Sequence, residues 1–179
     1  ADASGTKGLA GTLSGGLKIN VTVPTLTIAL DSATTDGNLI YKVTGSEAFD
    51  LVSTVSPTIT NGAISSTPTA SSDRMTYMMT VKPTASGDVG VSIPVGAVTN
   101  GTLTNTAAVT ATAVKVALGT SGVDTMTGSV GAEYVFPGAG NDILKLTATN
   151  QSTVAATDTI AGIAIGDVLD LSGLLTSYK

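Results

Sequence analysis

The sequence predicts an all-β chain in two parts, an antiparallel sandwich followed by a short parallel roll. Three observations carry this. Thr, Ser, Gly, Ala and Val dominate the 179 residues while aromatics supply only 3%, a balance that favours strands and turns over helices. Short alternating apolar runs recur between turn signals from Pro24 to Val116. From Gly119 onward, glycines and single acids return at a fixed interval.

Residues 1–23, "ADASGTKGLAGTLSGGLKINVTV", are rich in Gly, Ser and Thr and read as an arm or linker. Within them, Leu17 to Val23 alternates like a strand. The arm is either a lead-in or a strand that pairs with a neighbouring molecule. No charged-then-apolar leader opens the sequence, which predicts a removed signal or export that does not use an N-terminal one.

Residues 24–116 form the first module. "TLTIAL" places Leu26, Ile28 and Leu30 on one face, and "NLIYKVT" does the same with Leu39, Tyr41 and Val43. "RMTYMMTVKP" aligns Met75, Tyr77, Met79 and Val81, then stops at Pro83. "GVSIPVG" and "AAVTATAVKVAL" complete the series, with "TTDGN", "TNG" and "ASGD" as turns. Six or seven strands in about ninety residues is the size of one immunoglobulin-like sandwich. Met75, Met78 and Met79 read as core filling rather than a binding surface.

Several stretches of this module resemble a bacterial immunoglobulin-like repeat. They are Ser46, Glu47, Ala48 and Phe49; then Asn61-Gly62; and last Val91, Pro94, Gly96 and Ala97. The full aromatic-flanked acidic segment of that family is missing. Such repeats occur in bacterial adhesins and surface-layer proteins, so the resemblance implies the fold and a surface setting.

Residues 117–179 form the second module. Three nonapeptides run in register: "GTSGVDTMT" (119–127), "GSVGAEYVF" (128–136) and "PGAGNDILK" (137–145). Position four is Gly122, Gly131 and Gly140; position six is Asp124, Glu133 and Asp142; position eight is Met126, Val135 and Leu144. This matches the pattern G-G-x-G-x-D-x-U-x of calcium-binding β-rolls. Glycines let the backbone turn and aim carbonyl oxygens inward, and the acid supplies charge. One coil takes two nonapeptides, so Asp124 and Asp142, eighteen apart, stack and share an ion. The loops around that pair add Gly119, Ser121, Gly122, Gly138 and Gly140 as candidate ligands. Glu133 would need a partner near residue 151, where Gln151 stands instead of an acid. Pro137 replaces the first glycine of the third repeat, and Thr120 and Ser129 replace the second glycine of the first two, which predicts weakened affinity.

The segment "TDTIAGIAIGDVLDLSGLL" (157–175) resembles the one that closes β-rolls in repeats-in-toxin proteins. The matching residues are Asp158, Thr159, Ile160, Gly166, Asp167, Asp170, Leu171 and Ser172, with Ile163 in place of the usual Phe. The resemblance implies that Asp158, Asp167 and Asp170 are further metal candidates. The alternative is a charged turn between apolar strands.

Composition narrows the function. With neither Cys nor His, disulfides and soft-metal sites are excluded, and any ion is an oxygen-bound hard cation such as calcium. Eight Lys/Arg against thirteen acids, net charge −5, exclude a nucleic-acid interface. No apolar run reaches the roughly 18 residues of a membrane span. There is no G-x-S-x-G elbow and no P-loop or dinucleotide fingerprint, so no enzyme is expected. From Gly119 onward six acids face two lysines, which predicts a region poorly ordered until a cation binds.

These features predict an extracellular, cell-surface protein exported by type I secretion from a Gram-negative bacterium. Its expected role is structural, as a self-assembling subunit of a calcium-stabilised surface layer (S-layer) or filament. Its partners would be other copies of itself, with a cell-surface glycan or lipopolysaccharide as a second candidate. The alternatives are a fragment of a large adhesin, or the C-terminal secretion module of an exported enzyme.

Overall fold

The computed structural model describes residues 22–147 and 151–175. Among the described residues sixteen strands carry the fold. The first eight are β1 (Leu26–Ala33), β2 (Leu39–Gly45), β3 (Asp50–Leu51), β4 (Thr58–Thr60), β5 (Gly62–Ile64), β6 (Thr69–Ala70), β7 (Thr76–Pro83) and β8 (Gly87–Ile93). The rest are β9 (Val98–Thr99), β10 (Val109–Thr110), β11 (Val114–Leu118), β12 (Thr125–Thr127), β13 (Glu133–Phe136), β14 (Ile143–Lys145), β15 (Thr159–Ile160) and β16 (Val168–Asp170). The chain is all β, as its composition predicts. Among the described residues no helix is long and apolar enough to cross a membrane. The alternating segment Leu17–Val23 lies outside the described residues except for Thr22 and Val23.

Two antiparallel layers make the sandwich. One has the order β1-β2-β7-β5, with β6 also on β7; the other brings β4, β10 and β11 to β8. The alternation read from sequence sets the core: Leu39, Tyr41 and Val43 of β2 and Tyr77, Met79 and Val81 of β7 face Val89, Val91 and Ile93 of β8. Each is buried because a period of two puts every second side chain inward. Met75 lies just outside β7 and is exposed.

Local chemistry explains the turns. In "TTDGN", Thr34 N–H donates to Asn38 O at 2.8 Å and Asn38 Nδ2 to Asp36 at 2.8 Å, while Gly37 takes φ 85°. Asn61, at φ 54°, turns the chain from β4 in one layer into β5 in the other. Buried Asn105 fastens the 94–107 loop by accepting from Val98 N–H (3.1 Å) and donating to Pro94 O (2.9 Å) and Ala107 O (2.8 Å).

The run "AAVTATAVKVAL" forms two strands where the sequence suggests one. Val109 opposes Ile93 and Val114 opposes Val89, a register slip of one residue that marks a bulge between β10 and β11.

β11 then joins the two modules. It pairs antiparallel with β8 on one edge and parallel with β13 on the other. The division drawn at 116/117 falls inside this strand. One sheet therefore runs from the sandwich into the roll, in the order β10-β8-β11-β13-β15. The contact extends beyond the backbone. Phe136 of β13 is 5% exposed and belongs to the sandwich core, and the β1–β2 turn rests on it and on Gly162.

Shared packing of this kind predicts one unfolding transition. Phe136→Ala should cost about 3–4 kcal/mol and lower the melting temperature of sandwich and roll together by differential scanning calorimetry. A shift in only one of two separate transitions would contradict the shared core.

Candidate metal centre

The roll is a stack of coils, each with one strand in either of two parallel sheets. β11, β13 and β15 form one side; β12, β14 and β16 form the other. Val116 opposes Tyr134 and Met126 opposes Leu144, so the first coil repeats at eighteen residues, as the nonapeptide count requires. Position eight points inward: Val135 and Leu144 are buried between the sheets. The next coil is longer. Tyr134 opposes Thr159 and Ile143 opposes Val168, a step of twenty-five.

Stacking brings the loops into backbone contact. A Cβ on Gly138 would lie 2.0 Å from Thr120 O, and one on Gly140 would lie 2.3 Å from Gly122 O. Both glycines also have positive φ, 95° and 136°, so no other residue fits the close approach. Gly119 is similarly crowded by Pro137 O. Gly122 and Ser121 sit on the exposed side of their loop. Gly122 contributes through its carbonyl, which faces Gly140, rather than through the absence of a side chain.

The acids form a ladder along this stack. Asp142 Oδ1 accepts the N–H of Asp124 at 2.9 Å, and Asp167 Oδ1 accepts the N–H of Asp142 at 2.9 Å. On the opposite edge Asp158 Oδ1 accepts the N–H of Glu133 at 3.0 Å. Each carboxylate thus bonds the acid-bearing residue one coil earlier. Asp124 and Asp142 come together as the spacing predicts, and Asp167 extends their column.

Glu133 also gains an acid neighbour, supplied by Asp158 and not by the amide at 151. The seven extra residues of the long coil carry Asp158 into place. Gln151 is buried beside it, donating to Gly128 O and accepting from Thr147 N–H. Asp170 lies in neither column; it opposes Lys145 and accepts from Ser172 N–H at 2.9 Å.

Two features were not legible as site residues. The hydroxyl residues replacing the second glycines hold the acids: Thr120 N–H and Oγ1 donate to Asp124 Oδ2 at 2.6 and 2.9 Å. Ser129 does the same for Glu133, at 2.8 Å for each bond. Their i, i+4 spacing to the acid is the signal that could have found them. The second is Lys115, which opposes Glu133 and so heads that edge's acid column with a cation. Its Nζ donates to Ser129 Oγ at 3.2 Å.

The electrostatics separate the acids. Burial raises the Asp158 carboxyl above its ordinary value, and the Glu133 charge adds to this, against the Glu133 N–H and Lys115. The Asp142 N–H, then that of Ala164, holds Asp167 below its ordinary value. Asp142 is fully buried, and its Oδ2, like that of Asp158, has no hydrogen-bond partner. A buried carboxylate oxygen without a donor is costly unless a cation faces it.

An oxygen-only donor set with two such orphans fits a hard cation. Among the described residues no three acidic side chains converge, so carboxylates alone do not complete a site. Calcium takes six to eight oxygens, and carbonyls in the contacting loops, such as those of Thr120 and Gly122, are the complement available. Asp124, Asp142 and Asp167 would hold ions on one edge, and Glu133 with Asp158 on the other.

Residues 94–179, just under half of the chain, match the family described as the C-terminal region of M10 serralysin peptidases. That family is the calcium-binding, repeats-in-toxin β-roll region of type I-secreted proteins, and it is the non-catalytic part of those peptidases. No curated protein and no solved structure matches the chain.

Two outcomes follow from this geometry. Asp142→Asn should weaken calcium binding by about tenfold or more in titration calorimetry, while Asp170→Asn leaves it unchanged; the reverse ranking would displace the site. An acid whose folded value is raised contributes stability that is full below the ordinary carboxylate range and is lost as pH rises through the folded value. With calcium chelated, Asp158→Asn should therefore raise the melting temperature at pH 7 and leave it unchanged near about pH 3. A lower melting temperature at pH 7 would show that the carboxylate is stabilising without metal.

Proposed function

We propose that this chain is a non-enzymatic structural subunit of a calcium-stabilised bacterial surface layer or extracellular filament. The observation that carries the reading is the acid ladder with its two orphaned oxygens, built onto a sheet continuous with the sandwich. Cation binding to the ladder screens the stacked carboxylates and locks the coils. Through β11 that rigidity reaches the sandwich, giving a stiff building block rather than two linked beads. The likeness of residues 46–97 to surface-exposed immunoglobulin-like repeats supports a surface setting. The family matched by residues 94–179 supports type I export from a Gram-negative cell.

A second reading takes the roll as the secretion module of a longer exported protein, since the matched family is the C-terminal part of secreted peptidases. Adhesin spacing is the third, with a cell-surface glycan or lipopolysaccharide as partner in place of further copies.

Electron microscopy of the purified chain with millimolar calcium, and again after chelation, decides among these. Sheets or filaments that appear with calcium and dissolve without it are expected. Persistent monomers at saturating calcium would reject the lattice.

A further inference from the structure

The β15–β16 coil is the last one described, and among the described residues no strand pairs with its outer edge. Leu144, flanked by strands on both sides, is 4% exposed; Leu169, the next residue in its column, is 45% exposed. Val168 on the opposite face of β16, and Ile163 and Leu175 in the flanking segments, are exposed as well. A cavity of about 90 Å³ lies between the two sheets of the roll, lined by Met126, Val135, Leu144, Ile160 and Leu169, and reaches the last described coil. Among the described residues the face lacks one strand.

We propose that residues 17–21 of a second copy supply that strand, pairing parallel with β16 and linking copies head to tail. This rests on the lattice reading and names its contact. Three observations select the occupant. "LKINV" alternates with the period of the roll's strands, so Leu17 opposite Leu169 and Ile19 opposite Leu171 both point inward.

The same register sets Lys18 opposite Asp170, which already opposes Lys145, continuing an alternation of charge along that column. Residues 1–21 carry two lysines and one acid, whereas the last coil carries Asp158, Asp167 and Asp170. Reach then excludes the chain's own arm. Thr22 is held by Asn100 Nδ2 (2.9 Å) at the pole where β1 begins, and Gly162 meets Thr35 beyond the other end of β1. From Leu26 to Thr35 the strand and turn span about 30 Å. Leu17 lies at most about 17 Å from Thr22. A donor at one pole and an acceptor toward the other make a heterologous contact that does not close, so copies add indefinitely.

The test compares assembly in calcium by sedimentation velocity and electron microscopy. The full chain should polymerise. A chain lacking residues 1–21 should stay monomeric, with its melting temperature unchanged. Lys18→Glu should raise the critical concentration about fivefold, and Asp170→Lys in the same chain should restore it. If the truncated chain polymerises like the full one, or if Asp170→Lys fails to rescue Lys18→Glu, the arm is not the donor although the lattice stands. If the full chain stays monomeric at saturating calcium, the lattice and its contact both fail.

Discussion

One backbone approach governs the second half of this molecule. The carbonyls of Thr120 and Gly122 pass the α-carbons of Gly138 and Gly140 so closely that any side chain would collide. Only at that separation do the parallel strands reach hydrogen-bonding distance and the acid of one coil reach the N–H of the coil before it. The apolar residues at position eight then close on one another between the sheets. The glycines set the spacing, and the spacing makes the ladder.

The ladder would also couple cation binding to folding in this region under the proposed reading. A carboxylate accepting one N–H is only half satisfied. Asp142 and Asp158 each have their second oxygen buried with no donor to meet it. The two edges solve this differently. On the Glu133 edge Lys115 already supplies a positive charge at the top of the column, and Ser129 relays it to Glu133. Among the described residues the Asp124 edge has no such residue in its column, so its charge is left without a protein cation. The two edges of one roll thus differ in how their carboxylate charge is met.

Much of this was readable in the sequence, and the failures have physical causes. Alternation placed Tyr41, Met79 and Val81 in the core because a pleated strand leaves a side chain no third choice. The nine-residue period placed Asp124 beside Asp142 because the coil length is fixed by it. That same period pointed Glu133 toward residue 151, and it failed there because a seven-residue insertion lengthens the coil without leaving a repeat of its own. Two-residue strands such as β3 and β9 have too little pattern to be seen. The double role of β11 was invisible for a different reason: alternation gives a strand's faces but not its neighbours.

β11 opposes β8 at three positions and β13 at four. The covalent chain passes from sandwich to roll along the length of this strand. Tension drawn between the two modules therefore shears the hydrogen bonds on both its edges together instead of peeling them one by one. Under load the junction is a splice and not a hinge.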